Sequence, residues 1–492
     1  MANLLLTLAP FLIIFLSSII VIGSPSKIKY KSLFTFLGLI IALIFNLLLA
    51  IFKVDAPIVN SFFIQKDITL LSSVLGPYSH YYIQAIIISI SIVIFIRFSQ
   101  KIYDIHSADF FISFYLLFTA SIMGFFLSEN LLIISLFFIL ASISLEFLFY
   151  YDLIEKKFSK IGIVFIIISS GILITTDLLV QIVFKTLVLS EIIQTISQSS
   201  NFVQFVIFLG YFFGFGSLGL ILPLINLHYK IIFQKSNPIY LSLLSSIFNP
   251  IVGLILLKIY ILIPFDNRTI THFIFLVGCI GFSLSSIQLI VEIFELNPIT
   301  NGSVQNLIGL LSSVEFSIFI LFGGLIRLPI LLNQLEIQRS IFIFFILSVF
   351  TKSILVEILQ PAFKENVKTE WNWDHLSGKF YHKIFFVIVM LFVPIFYAIP
   401  GFLGYKLFLN ILKPLNSNLY DSALYFAEFW TIIILIVLFE SILMILVGKT
   451  ISQTYFQTSL KEAQRKKQKI RNIDYIAPIL LIVSSLIMLI FL

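Results

Sequence analysis

Lys352 stands deep inside the apolar run 338–360, with Phe, Ile, Leu and Val on both sides. Glu315, Glu357, Glu440 and Lys406 also fall within long apolar runs, as do Glu146 and Glu428. Ionisable side chains in such surroundings are costly and rare, so each is a candidate functional position. The chemistry open to them is proton exchange. Burial favours the neutral form of lysine and glutamate, and an opposite charge within reach favours the charged form of both.

These residues are carried by fourteen apolar stretches: 3–23, 33–52, 79–97, 110–128, 131–150, 161–183, 202–224, 238–263, 271–293, 304–326, 338–360, 383–411, 421–448 and 475–492. The chain is 60% hydrophobic and 11% charged, which leaves too little polar surface for a soluble protein. Stretches of about 20 apolar residues cross a bilayer as helices, because lipid offers the backbone no hydrogen-bond partners. The pattern predicts an all-α membrane protein with about 14 transmembrane helices. The longest polar connections, 53–78, 361–382 and 449–474, leave no room for a soluble domain.

Several function classes drop out. A single cysteine, Cys279, excludes a disulfide framework and a cysteine-ligated cluster. The six histidines are scattered without metal-ligand spacing, and no Gly-rich phosphate loop occurs. The first span has neither a preceding basic residue nor a small-residue cleavage site, so it reads as a retained helix. The net charge of +7 reflects topology rather than nucleic-acid binding. With Arg97, Arg339 and Lys383 at span edges counted in the adjoining connections, those on one side of the spans hold 21 Lys and Arg and those on the other side hold 7, while Lys258, Lys352 and Lys406 lie deeper within spans. The basic side is cytoplasmic by the positive-inside rule, so both termini face outward. The basic run Lys461–Arg471 reads either as a solvated topogenic segment or as a docking surface for another subunit.

Ordered local motifs carry a resemblance. Asn130-Leu131-Leu132 opens the fifth span, and Ser142 follows within it. Ser169-Ser170-Gly171 forms a small-residue patch in the sixth, and Pro223 and Pro238 flank the connection from the seventh to the eighth. Leu307–Val314 reads LIGLLSSV, Phe350–Leu355 reads FTKSIL, and Ile399-Pro400 precedes Leu403-Gly404-Tyr405. In this order and on these spans, they resemble the proton-antiporter-like membrane subunits of respiratory complex I, membrane-bound hydrogenases and Mrp-type antiporters. The resemblance covers about residues 110–410.

It implies two inverted five-helix repeats, helices 4–8 and 9–13, containing broken helices. The implied division is 1–109 for helices 1–3, 110–265 and 266–448 for the two repeats, and 449–492 for the basic segment and final helix. It also implies a proton path of buried lysines and glutamates. The candidates are Lys352, Lys406, Glu315, Glu440, Glu428, Glu146 and Glu357, with helix breaks at Pro223, Pro400 and Gly401. Lys352 keeps both the register and the charge of its motif. It lies about eight residues from the cytoplasmic end of its span, or about 12 Å, too far for easy snorkelling. Glu357 is about 140° around the same helix from Lys352, not an ideal pair. Asp177, Glu191, His272 and Glu292 lie near span ends and read as interfacial.

Other charges of the family are missing. Ile139, Leu218 and Asn249 stand at or near its helix 5 acid and its helix 7 and 8 basic residues, and Glu146 reads as a displaced substitute for the first. Two readings follow for a subunit of a complex I-like or membrane-bound hydrogenase-like assembly. One takes part in proton or sodium translocation driven by electron transfer elsewhere. The other is a non-pumping scaffold. An Mrp-type cation/proton antiporter subunit is a further alternative. All imply no cofactor in this chain. The complex-bound readings imply membrane-arm partners and a peripheral redox module. The membrane is read as a prokaryotic plasma membrane in preference to a mitochondrial inner one.

Overall fold

The computed structural model describes residues 2–23, 28–52, 88, 90–96, 109–128, 130–152, 159–218, 243–262, 267–295, 304–326, 334–363, 387, positions scattered over 430–451, and 476–491. Among these residues the regular structure is helical, joined by short turns. The one β contact is an isolated bridge between Asn130 and Val188. The helices are α1 (Ala2–Gly23), α2 (Ile28–Phe52), α3 (Asp109–Leu127), α4 (Leu131–Asp152), α5 (Ser159–Phe184), α6 (Leu189–Ile196), α7 (Asn201–Leu218), α8 (Asn249–Leu262, entered through a π-helical turn Leu243–Phe248), α9 (Arg268–Glu295), α10 (Val304–Ile326), α11 (Gln334–Phe363) and α12 (Ile476–Phe491).

Among the described residues, three segments are long and apolar enough to cross a membrane, Leu131–Leu148, Gly162–Phe184 and Arg268–Val291, and six shorter apolar helices accompany them. On α5 the outward residues are Ile163, Val164, Ile167, Ile168, Leu178 and Ile182, whereas its buried face holds Ser169, Leu173, Thr176, Asp177 and Val180. A helix that shows isoleucine outward and buries hydroxyls and a carboxyl suits lipid rather than water. The chain is an all-α membrane protein. Helix ends run a few residues past several expected spans, as in α11 against 338–360, because the backbone ladder continues into the polar interface.

The chain forms two compact units: Met1–Gly219 with Ile255–Ile270 and Ile487–Leu492, and Leu220–Leu254 with Thr271–Leu486. In the first, α3 packs along α4 and α1, α1 along α2, and α5 along α4 and α7. Asn130 caps α4, its Oδ1 accepting from the Leu132 amide at 3.0 Å, which gives the opening asparagine of the sequence motif a local physical role. Lys185 ends α5 in the left-handed region, at φ 57°. The chain then turns back so that Leu187 O accepts from the Leu131 amide at 2.9 Å. Gln204 donates to Ile196 O and Ser199 O and accepts from Asn267, pinning the ends of α6 and α7.

In the second unit, α10 packs against α11, and both pack against the π-helical turn. Ser285 and Ser313 join α9 to α10 at 2.8 Å. Lys449 donates to Ile293 O near the carboxyl end of α9, where a cation complements the helix dipole.

Gly210 and Gly214, one turn apart on α7, let α5 approach closely, as small residues do between membrane helices. A Cβ on Gly210 would lie 2.2 Å from Thr176 Oγ1, and one on Gly214 would lie 2.5 Å from Leu173 Cδ2. Threonine is stiff at χ1, so it cannot swing clear. Gly210→Ala should cost about 1–3 kcal/mol, read as a lowered unfolding temperature in detergent. Adding Thr176→Ala should recover part of that loss.

Candidate functional site

Two helices of the second unit bring Glu315 and Lys352 together. Glu315 follows the LIGLLSSV segment on α10, and Lys352 lies near the middle of α11. The Lys352 ammonium and the Glu315 carboxylate form an ion pair through Nζ and Oε2. Their residue exposures are 1% and 0%. Ser348, one turn before Lys352, donates to the same Oε2 at 2.8 Å. The carboxylate is therefore held by two groups of one helix face.

The surroundings fix the pair in place. Phe319 on α10 meets Phe344 and Phe345 of α11 at centroid distances of 5.4 and 5.8 Å. Gly281 on α9 faces Ser317, where a Cβ would lie 2.8 Å from Oγ. The π-helical turn buries Ser245 and Ser246, and Asn249 at the start of α8 is buried too. Such turns are frequent at functional sites because they loosen the regular backbone ladder. This one packs against the two helices that carry the pair. Asn249 is thus buried in the unit that holds the charges, at a position where the resembled family carries a basic residue.

Chemically, the pair holds a proton in two places. With the proton on Nζ it is an ammonium–carboxylate pair. With the proton on Oε2 it is an amine and an acid, both neutral and cheaper to keep apart in an apolar interior. Lys352 and Glu315 were each candidates in the sequence, but their pairing was not legible there, since 36 intervening residues separate them. Ser348 was not singled out. Its signal was its place four residues before Lys352 on one helix face. Glu357 is also buried, further along α11.

The first unit holds other buried acids. Glu146 on α4 lies against Gly162 of α5, where a Cβ would come within 2.4 Å of the carboxylate. Asp177 on α5 accepts from Tyr211 Oη of α7 at 2.7 Å. Asp177, which its place near a span end marks as interfacial, is packed between helices and only 1% exposed. It lies on the buried stripe of α5, which a helical wheel would have revealed. Ile139 is half-buried on α4. Lys406, Glu428, Glu440, Pro223, Pro400 and Gly401 lie outside the described residues.

No family model matches the chain, and no curated protein matches it in sequence. Solved structures do share its fold. A chain of respiratory complex I from Thermus thermophilus with bound aureothin matches with a TM-score of 0.70, covering 99% of this chain and 96% of that one, at 11% identity. The same complex with bound NADH gives 0.70, with 99% and 95% covered, at 12% identity. A chain of the membrane-bound sulfane sulfur reductase, an archaeal respiratory membrane complex, gives 0.70, with 100% and 95% covered, at 14% identity. At such identities the likeness is one of fold, and at that level the resemblance read from the motifs is borne out.

Removing one partner of a buried pair leaves an uncompensated charge. Glu315→Gln should destabilise the protein by about 3–5 kcal/mol. Ser348→Ala, which removes one hydrogen bond to a charged group, should cost about 1.5–3 kcal/mol. Replacing both ends together, Glu315→Leu with Lys352→Met, should restore most of the stability in thermal unfolding of the detergent-solubilised protein.

Proposed function

We propose that this chain is an antiporter-like membrane subunit of a respiratory assembly similar to complex I or to the membrane-bound sulfur reductase, and that it takes part in proton or sodium translocation. The observation that carries this reading is the buried Lys352–Glu315 pair, braced by Ser348, in a fold shared with chains of such assemblies. A buried ion pair is a poor way to gain stability, since desolvation consumes most of the attraction. Its use is that it switches. Passing the proton from Nζ to Oε2 neutralises both groups, which can then part and exchange with other carriers. The driving redox chemistry belongs to a peripheral module, this chain holds no cofactor of its own, and its partners are other membrane-arm subunits. The membrane is a prokaryotic plasma membrane, and the topology is fourteen helices with both termini outside, including two inverted repeats.

The neutral residues Ile139, Leu218 and Asn249 favour a second reading, in which the subunit keeps the fold as a scaffold and does not pump. One experiment separates the two. In vesicles containing the complete complex, Lys352→Met should lower the protons moved per electron pair while electron transfer continues. Pumping at full stoichiometry in that variant rules out the relay role and leaves the scaffold.

A further inference from the structure

The first unit buries two carboxyls at opposite ends of one helix seam. Asp177 Oδ1 accepts from Tyr211. Its Oδ2 and Glu146 Oε1 have no hydrogen-bond partner among the described residues, and the Ser135 hydroxyl stands beside the Asp177 carboxyl. Ser135 is 0% exposed. Neither acid has an ion-pair partner among the described residues.

These groups are aligned. Ser135, Ser142 and Glu146 are seven and four residues apart on α4 and share a face. Ser169 lies on the buried stripe of α5, between Gly162 and Asp177. Gly162 meets Glu146 at one end, and Ser135 faces Asp177 at the other, so the two helices run antiparallel. Taking Glu146 and Gly162 as one level, the helical rise puts Ser142 about 6 Å above them, Ser169 about 10 Å, Ser135 about 16 Å and Asp177 about 22 Å. Side chains lean toward their own N-termini, which brings Ser135 and Asp177 toward each other. Steps of about 5 Å are one water wide, since two hydrogen bonds of about 2.8 Å cover them. The whole ladder covers most of a hydrocarbon core about 30 Å thick.

We propose that this seam is a second proton path, running between Asp177 and Glu146 through Ser135, Ser169, Ser142 and bridging waters. One proton leaves the Asp177 carboxyl for a water. Each hydroxyl and water in turn accepts a proton on oxygen and gives up its own, and the Glu146 carboxylate takes the last. No bond to carbon changes, and one positive charge has moved. Tyr211 holds Asp177 at the head of the path, and Gly162 leaves room for the Glu146 carboxyl.

The inference rests on the reading that the chain serves a proton-translocating complex, and its test distinguishes the two. Protons moved per electron pair are measured in vesicles with the complete complex for Asp177→Asn, Glu146→Gln, Glu146→Asp and Lys352→Met. The path requires that Asp177→Asn and Glu146→Gln each lose most pumping, with electron transfer retained, and that Glu146→Asp recovers it. Full pumping in either amide variant overturns the path whatever Lys352→Met does. If the wild-type complex moves no protons, or an amide variant fails to fold, infrared spectra of the wild type decide. The Asp177 carboxyl band, identified by its shift in Tyr211→Phe, must move on transfer to D2O. A band that stays in place marks a sealed acid and overturns the path.

Discussion

Hydrocarbon offers a charge no partner, and the arrangement of polar side chains follows from that constraint. Lys352 and Glu315 are tolerated because each neutralises the other and Ser348 supplies a further donor to the carboxylate. The rest of the second unit serves this contact. The serine bond between α9 and α10, the Phe319 contacts and the π-helical turn set where α10 and α11 meet. A displacement of one helix by a single residue would rotate Glu315 by about 100° and separate the pair.

The first unit solves the same problem differently. Its acids have no cation among the described residues. Asp177 relies on a phenol, and Glu146 on the room left by a glycine. Its helices come close because Gly162, Gly210 and Gly214 have no side chains to keep them apart. On α5, Ser169, Thr176 and Asp177 face inward, and Ile163, Ile167, Ile168 and Ile182 face outward. In water this distribution would be inverted; in lipid it places the carboxyl on the protein side.

Under the proposed function, a lysine–glutamate pair and a hydroxyl-lined seam would carry protons by different means. The pair stores a proton electrostatically and releases it when the partners separate. A seam passes it along hydrogen bonds without moving charges through apolar space. Both would require groups whose neutral and charged forms are close enough in energy to interchange.

Composition and the length of the apolar runs were sufficient to establish the class, since continuous runs of about 20 apolar residues meet their backbone hydrogen-bond needs in lipid as helices. The helix positions followed closely: 304–326 was read from hydropathy, and α10 spans the same residues. The candidate residues were legible too, because a charge within an apolar run stands out. Partners were not. Lys352 and Glu315 are distant in the chain, and no local period links α10 to α11. The burial of Asp177 was not legible either, because distance from a span end measures depth along one helix but not which way the side chain faces. Facing is decided by neighbours, here by α4 and α7 closing over one stripe of α5, and only the packed helices contain that information.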